Sequence, residues 1–164
     1  MTTDYTALPA HAQLSALNRR LISSRELLDL HHKRIQTSTL NAVITLDIDA
    51  ARQAASASDD RRAQGRPVGH VDGLPLTIKD SFETVALRTT CGAEELRHHI
   101  PARDADAVAR LRHAGAVIMG KTNVPAYCQD LHTDNPSSAP PATRTTHPHP
   151  GGSSGGAAAA VAAA

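Results

Sequence analysis

Asp104-Ala-Asp-Ala-Val-Ala-Arg-Leu-Arg-His-Ala-Gly-Ala-Val-Ile-Met-Gly120 reads as a helix that runs directly into a strand. Val108, Leu111 and Ala114 fall on one helical face behind a start at Asp104, and Gly115 stands where a helix ends in a left-handed residue. Ala116 to Gly120 is then a short apolar run bounded by glycine, the pattern of a buried strand. Working outward, Leu76-Thr-Ile-Lys79 is a second short strand, following Gly73-Leu74-Pro75 and presenting Lys79 at its C-terminal edge. Upstream, Asn41 to Asp49 alternates, with Ala42, Ile44, Leu46 and Ile48 on one face, which predicts a third strand. Helices alternating with strands predict an α/β fold with some parallel pairing.

The helices before these strands are also marked. Leu14, Leu17 and Leu21 are spaced three and four apart. Ser23 and Glu26 form a capping-box pair ahead of a helix from about Ser24 to Gln36, with Leu27, Leu28, Leu30 and Ile35 as its buried stripe. Asp49 is the expected cap of an Ala-rich helix ending near Ala63, where Gly65, Pro67 and Gly69 break the pattern. The chain divides into a helical segment over 1–40, an α/β portion over 41–135, an irregular Pro/Ser/Thr/His stretch over 136–150, and a Gly/Ser motif opening a helix over 151–164.

Composition narrows the function classes. Of the 164 residues 40% are hydrophobic, but only Tyr5, Phe82 and Tyr127 are aromatic, so the core must be built from Leu, Ile, Val and Ala. A net charge of +1 gives no electrostatic footprint for nucleic acid or an anionic membrane. Cys91 and Cys128 are too few and too far apart in sequence for a disulfide scaffold, and with no secretory leader a cytoplasmic setting is expected. Ten histidines invite a metal reading, but His31-His32, His98-His99 and His147-Pro148-His149 sit in unrelated contexts without metal-ligand spacing, so no metal site is expected. No G-x-S-x-G elbow marks a hydrolase triad. Gly151 to Gly156 lacks the Lys and Thr or Ser that end a phosphate-binding loop, and by itself reads as a linker.

Its company changes that reading. Gly73-Leu-Pro-Leu-Thr-Ile-Lys-Asp80, Thr89-Thr-Cys-Gly92, Leu111 to Pro125 and Pro150-Gly-Gly-Ser-Ser-Gly-Gly-Ala-Ala-Ala-Ala-Val-Ala-Ala-Ala164 follow one another as in the amidase signature family. The resemblance covers roughly residues 8–164, about the N-terminal third of a family member, and implies an incomplete mixed sheet flanked by helices. It further implies a Ser-Ser-Lys mechanism without cofactor or metal. Lys79 matches the base, Ser153 the bridging serine held in a cis peptide after Gly152, and Ser154 a supporting position whose hydroxyl satisfies the loop. A lysine is a base near neutral pH only when burial lowers its pKa, and Leu76 and Ile78 are the expected apolar neighbours.

The family's nucleophilic serine matches a position about two dozen residues beyond Ser153. The 164 residues are therefore expected to be inactive alone, with a small-molecule amide as the substrate of the full-length family. A non-catalytic module that self-associates or pairs with a separate C-terminal piece is the alternative, since Ala157 to Ala164 has no evident partner in the chain. Asn123-Val-Pro-Ala-Tyr127 resembles free-standing amidases more than the amidotransferase branch of the family. Three departures are expected to mark an interrupted copy, one being that the 164 residues end in Ala where the family continues through a glycine into its catalytic core. Ala86 replaces a common family glycine, which strains the backbone if φ is positive there. Pro136 to His147 is foreign in composition, yet codons for it read in a shifted frame can spell Val-Phe-Gly-Ala-Thr-Arg-Asn-Pro-Tyr-Asp-Pro, the family pattern, so a frameshifted and truncated gene product is expected.

Overall fold

The computed structural model describes residues 3–136 and 151–163, so the expected irregular stretch lies, but for Pro136, outside the described residues. The elements in order are α1 (Ala10–Asn18), α2 (Ser24–Thr37), β1 (Val43–Leu46), α3 (Ile48–Ala63), β2 (Pro75–Lys79), α4 (Asp106–His113), β3 (Val117–Thr122) and α5 (Gly155–Ala162). The three strands form a mixed α/β sheet in the order β1-β3-β2. β2 runs parallel to β3 with Lys79 opposite Thr122, and β1 runs antiparallel to it with Leu46 opposite Gly120.

The central strand decides where the core lies, because alternate side chains of a strand face opposite sides. Val117 and Met119 pack with Leu28 of α2 and Ala51 and Ala55 of α3. Ile118 faces the other way and meets Ile78, Leu87 and Val108 of α4. Small residues on α3 let it approach both α2 and β3 closely, which is how a core without buried aromatics closes. Phe82 and Tyr127 are exposed, and Tyr5 only edges a separate cluster around Leu17 and Leu27. Gly120 is required where it stands, because a Cβ there would collide with the Thr45 carbonyl oxygen and lie 2.8 Å from Leu46 Cδ2.

The capping box is formed: Ser23 Oγ accepts from Glu26 N–H at 3.0 Å, and Glu26 accepts from Ser23 N–H at 2.9 Å. Asp59 reinforces the same helix start by accepting from the N–H groups of Ser24 and Arg25, an anion at a positive helix end. Gly115 has φ +89°, the expected left-handed position after α4.

Several sequence expectations shift. Leu21 lies beyond α1, after Arg20 turns left-handed at φ +55°, and is exposed; Leu30 is exposed too, on the outer face of α2. The cap of α3 is Asp47, which accepts from Ala50 N–H at 3.0 Å, so Asp49 falls in the first turn. Asp104 does not start α4; its carboxylate accepts from Val85 N–H and pairs with Arg112. The final helix is not partnerless, because Ala159 is buried against Leu40 and Ala42. Ala86 has φ +64°, a left-handed conformation that a side chain disfavours. Among the described residues no helix is long and apolar enough to cross a membrane.

Candidate active site

Lys79 leaves the C-terminal end of β2, and its position is set by what lies immediately after it. Asp80 is fully buried, its N–H donating to Thr122 O at 3.1 Å and its Oδ2 accepting from the Thr90 N–H at 3.0 Å and hydroxyl at 2.5 Å. Lys121, also fully buried, stands 3.6 Å from Asp80 Oδ1 and donates to Phe82 O at 2.6 Å and Thr89 Oγ1 at 2.7 Å. Burial pulls the Lys121 ammonium below its ordinary value, and the Asp80 carboxylate opposes that shift. The chain after β2 is thus tied to β3 by a buried charge pair and to the Thr89–Gly92 segment by hydrogen bonds.

The second half of the site is built by glycines and by two polar residues from an intervening loop. The Gly152–Ser153 peptide is cis and Gly151 has φ +82°. A Cβ on Gly152 would collide with the Asp130 carbonyl oxygen and lie 2.6 Å from the Leu131 carbonyl carbon, so only glycine allows this packing. The Thr133 hydroxyl donates to Gly151 O at 2.8 Å and accepts from Gly155 N–H at 3.1 Å, clasping the turn from both sides. Asn135 Nδ2 donates to Asn123 Oδ1 and Val124 O, while Gly156 N–H donates to Asn123 O at 3.0 Å. The start of α5 therefore rests on the end of β3.

The two halves meet in one contact. Lys79 Nζ donates to Ser153 Oγ at 2.7 Å across 74 residues of sequence. An amine in hydrogen-bond reach of a hydroxyl provides a route for proton exchange, which is what a general base needs geometrically. The surroundings differ in detail from expectation. Lys79 is half-buried rather than enclosed, and Ile78 points away from it into the α4 cluster, so it is not the expected apolar neighbour. Ser154 is exposed at the N-cap of α5 and its side chain makes no capping bond, because Thr133 serves the loop instead. No group of three or more His, Cys, Asp or Glu side chains able to hold a metal ion occurs among the described residues.

A family model described as amidase matches residues 26–164. The chain belongs to the amidase family. It is 45% identical over 148 residues to the A-subunit of a glutamyl-tRNA(Gln) amidotransferase of Synechococcus sp. (strain CC9605), covering 87% of this chain and 30% of that one. The corresponding A-subunit from Aromatoleum aromaticum is 44% identical over 152 residues, covering 91% and 31%. Among solved structures, a bacterial aryl acylamidase of the amidase signature enzymes superposes with a TM-score of 0.86 at 29% identity, covering 93% of this amidase-family chain and 32% of its own. The chain thus spans about a third of the length of the relatives it matches.

Thr133, Asn123, Asn135 and the Asp80–Lys121 pair were not singled out from the sequence. A signal for Lys121 existed in the charge that follows the apolar run Ala116 to Gly120, since a lysine inside a strand that is buried along its length must find partners.

Proposed function

We propose that the protein contributes to hydrolysis of a carboxylic amide, with Lys79 as base and Ser153 as the serine that relays its proton from a nucleophilic serine. The observation that carries this is the 2.7 Å contact between Lys79 Nζ and Ser153 Oγ. Membership of the amidase family supports the same reaction class, and the matched relatives carry both amidase and amidotransferase names. The nucleophile matches no position in these 164 residues, so the chain by itself is expected to be inert towards amides, while Gly152 supports the relay by letting the loop pack on Asp130 and Leu131.

The test is complementation. The chain alone is expected to release no ammonia or amine from aliphatic or aryl amides. Mixed with the complementary two thirds of the aryl acylamidase, it is expected to gain turnover that Lys79→Ala and Ser153→Ala each abolish. Turnover untouched by both substitutions would refute the assignment of the pair, and turnover by the chain alone would refute its inertness.

A second reading, a binding module that assembles with another chain or with itself, has one observation in its favour. A cavity of about 680 Å³ opens between α1, α2, the sheet and α5, lined by apolar side chains including Leu8, Ile35, Leu40, Met119 and Val161. The relatives named as one component of an amidotransferase point the same way. Sedimentation equilibrium of the purified chain tests this reading, since a monomer at all concentrations excludes self-association.

A further inference from the structure

Cys91 and Cys128 take no part in the contact between Lys79 and Ser153, yet the fold brings their sulfurs to 3.8 Å from one another. Backbone constraints on both sides produce this approach. Cys91 N–H donates to Asp80 O at 2.9 Å, Tyr127 N–H donates to Cys91 O at 2.8 Å, and Cys128 N–H donates to Pro125 O at 2.9 Å. Both cysteines are left-handed, with φ of +50° and +57°. Gly92 lets the two segments touch, because a Cβ there would lie 2.7 Å from the Pro125 carbonyl oxygen. Both side chains are free thiols and partly exposed, so a small reagent can reach them.

We propose that Cys91 and Cys128 are a redox-active dithiol that closes to an intrachain disulfide on reaction with a low-molecular-weight aliphatic disulfide of the glutathione type. The Cys128 thiolate attacks one sulfur of the oxidant; the oxidant's S–S bond breaks, a mixed disulfide forms, and one small thiolate leaves. The Cys91 sulfur then attacks Cys128 Sγ, forming the Cys91–Cys128 bond and expelling the second small thiolate. The protein loses two electrons, the oxidant gains them, and the two cysteine protons end on the two released thiols. Burial, and then the adjacent Cys128 thiol, push Cys91 up to about 11, so Cys91 is not the thiol that opens the reaction, and its own attack relies on the closeness of the two sulfurs.

The bond would join the segment that leaves Lys79 and Asp80 to the segment that carries Asp130 and Leu131, against which Gly152 packs. The proposal concerns the two sulfurs and stands whether or not the amidase assignment of Lys79 and Ser153 holds.

The experiment treats the folded 164-residue chain with a reduced and oxidised glutathione series, then counts thiols by maleimide mass tagging and maps peptides without reduction. Both thiols are expected to disappear together, with a Cys91–Cys128 linked peptide and no retained glutathione. Closure should be favoured at least about tenfold over the same chain unfolded in urea, because the fold holds the two thiols at a high effective concentration. Cys91→Ser should stop at a glutathione adduct on Cys128. Two separate glutathione adducts, two unreacted thiols, or equal closure in urea would overturn the proposal. The wild-type comparison decides it even if the variant does not fold.

Discussion

Replacing Lys121 with Met tests whether the buried charge pair behind the site holds the end of β2. Methionine keeps most of the methylene volume, so the cavity contribution is small and the loss is electrostatic. Three partners are affected. The Phe82 carbonyl and the Thr89 hydroxyl lose a donor at 2.6 and 2.7 Å, and the Asp80 carboxylate, fully buried, loses the cation 3.6 Å away. Breaking a buried pair by removing one partner costs about 3–5 kcal/mol, because the remaining charge stays buried. Asp80 keeps its two bonds from Thr90, which places the expected value at the lower end of that range, about 3 kcal/mol. A domain of this size has roughly 5–15 kcal/mol in total, and each kcal/mol moves the melting point by about 2–4 °C, so a fall of about 6–12 °C is expected. Urea titration followed by circular dichroism measures the free energy directly. Adding Asp80→Asn should recover at least about 1 kcal/mol relative to the sum of the single variants, since the two groups share one interaction. A loss below about 1 kcal/mol for Lys121→Met, or strict additivity in the double variant, would refute the reasoning.

Other expectations follow from single positions. Ala86→Gly should raise the melting point: relief of the left-handed penalty, about 1–2 kcal/mol, exceeds the about 0.5–1 kcal/mol that glycine costs through unfolded-state entropy. A lower melting point would contradict it. Gly152→Ala drives a methyl into the Asp130–Leu131 backbone and should destabilise by about 1–3 kcal/mol in urea titration, whereas an unchanged midpoint would show that the loop yields freely. Burial resists ionisation of Asp72, but hydrogen bonds from Arg61 and the Val68 N–H outweigh it and hold the carboxyl below its ordinary value. Its folded-state value being depressed, its contribution is complete above the unfolded value of 3.8 and is lost as pH falls through the folded one. Arg61→Ala should therefore flatten the acid limb of a stability-against-pH curve. Finally, the codons for Pro136 to His147 should spell the family pattern in a shifted frame, and sequencing the gene across them decides it.

The fold was legible where pattern and chemistry agreed. Gly115 ending a helix before an apolar run, and Ser23 with Glu26 ahead of a leucine stripe, located α4, β3 and the start of α2 because each signal is local. Leu21, Leu30 and Asp104 misled because spacing alone does not say where a helix stops or which residue outside it a side chain will meet. Lys79 and Ser153 were found through resemblance, and their meeting depends on β3, which neither residue belongs to. Thr133, Asn123 and Asn135 stayed hidden because hydroxyls and amides in a loop carry no periodicity, and only the assembled fold shows which backbone groups they satisfy.

One strand end fixes the spacing of the site. Thr122 lies opposite Lys79 in the sheet, and the next residue, Asn123, receives Gly156 from the start of α5. The separation between amine and hydroxyl is thus measured off two consecutive residues at the end of a single strand, as along a ruler, and Thr133 and Asn135 pin the far side to the same mark. Such a layout makes the end of β3 the common reference for both halves of the site, so the meeting of Lys79 and Ser153 is set where that strand ends.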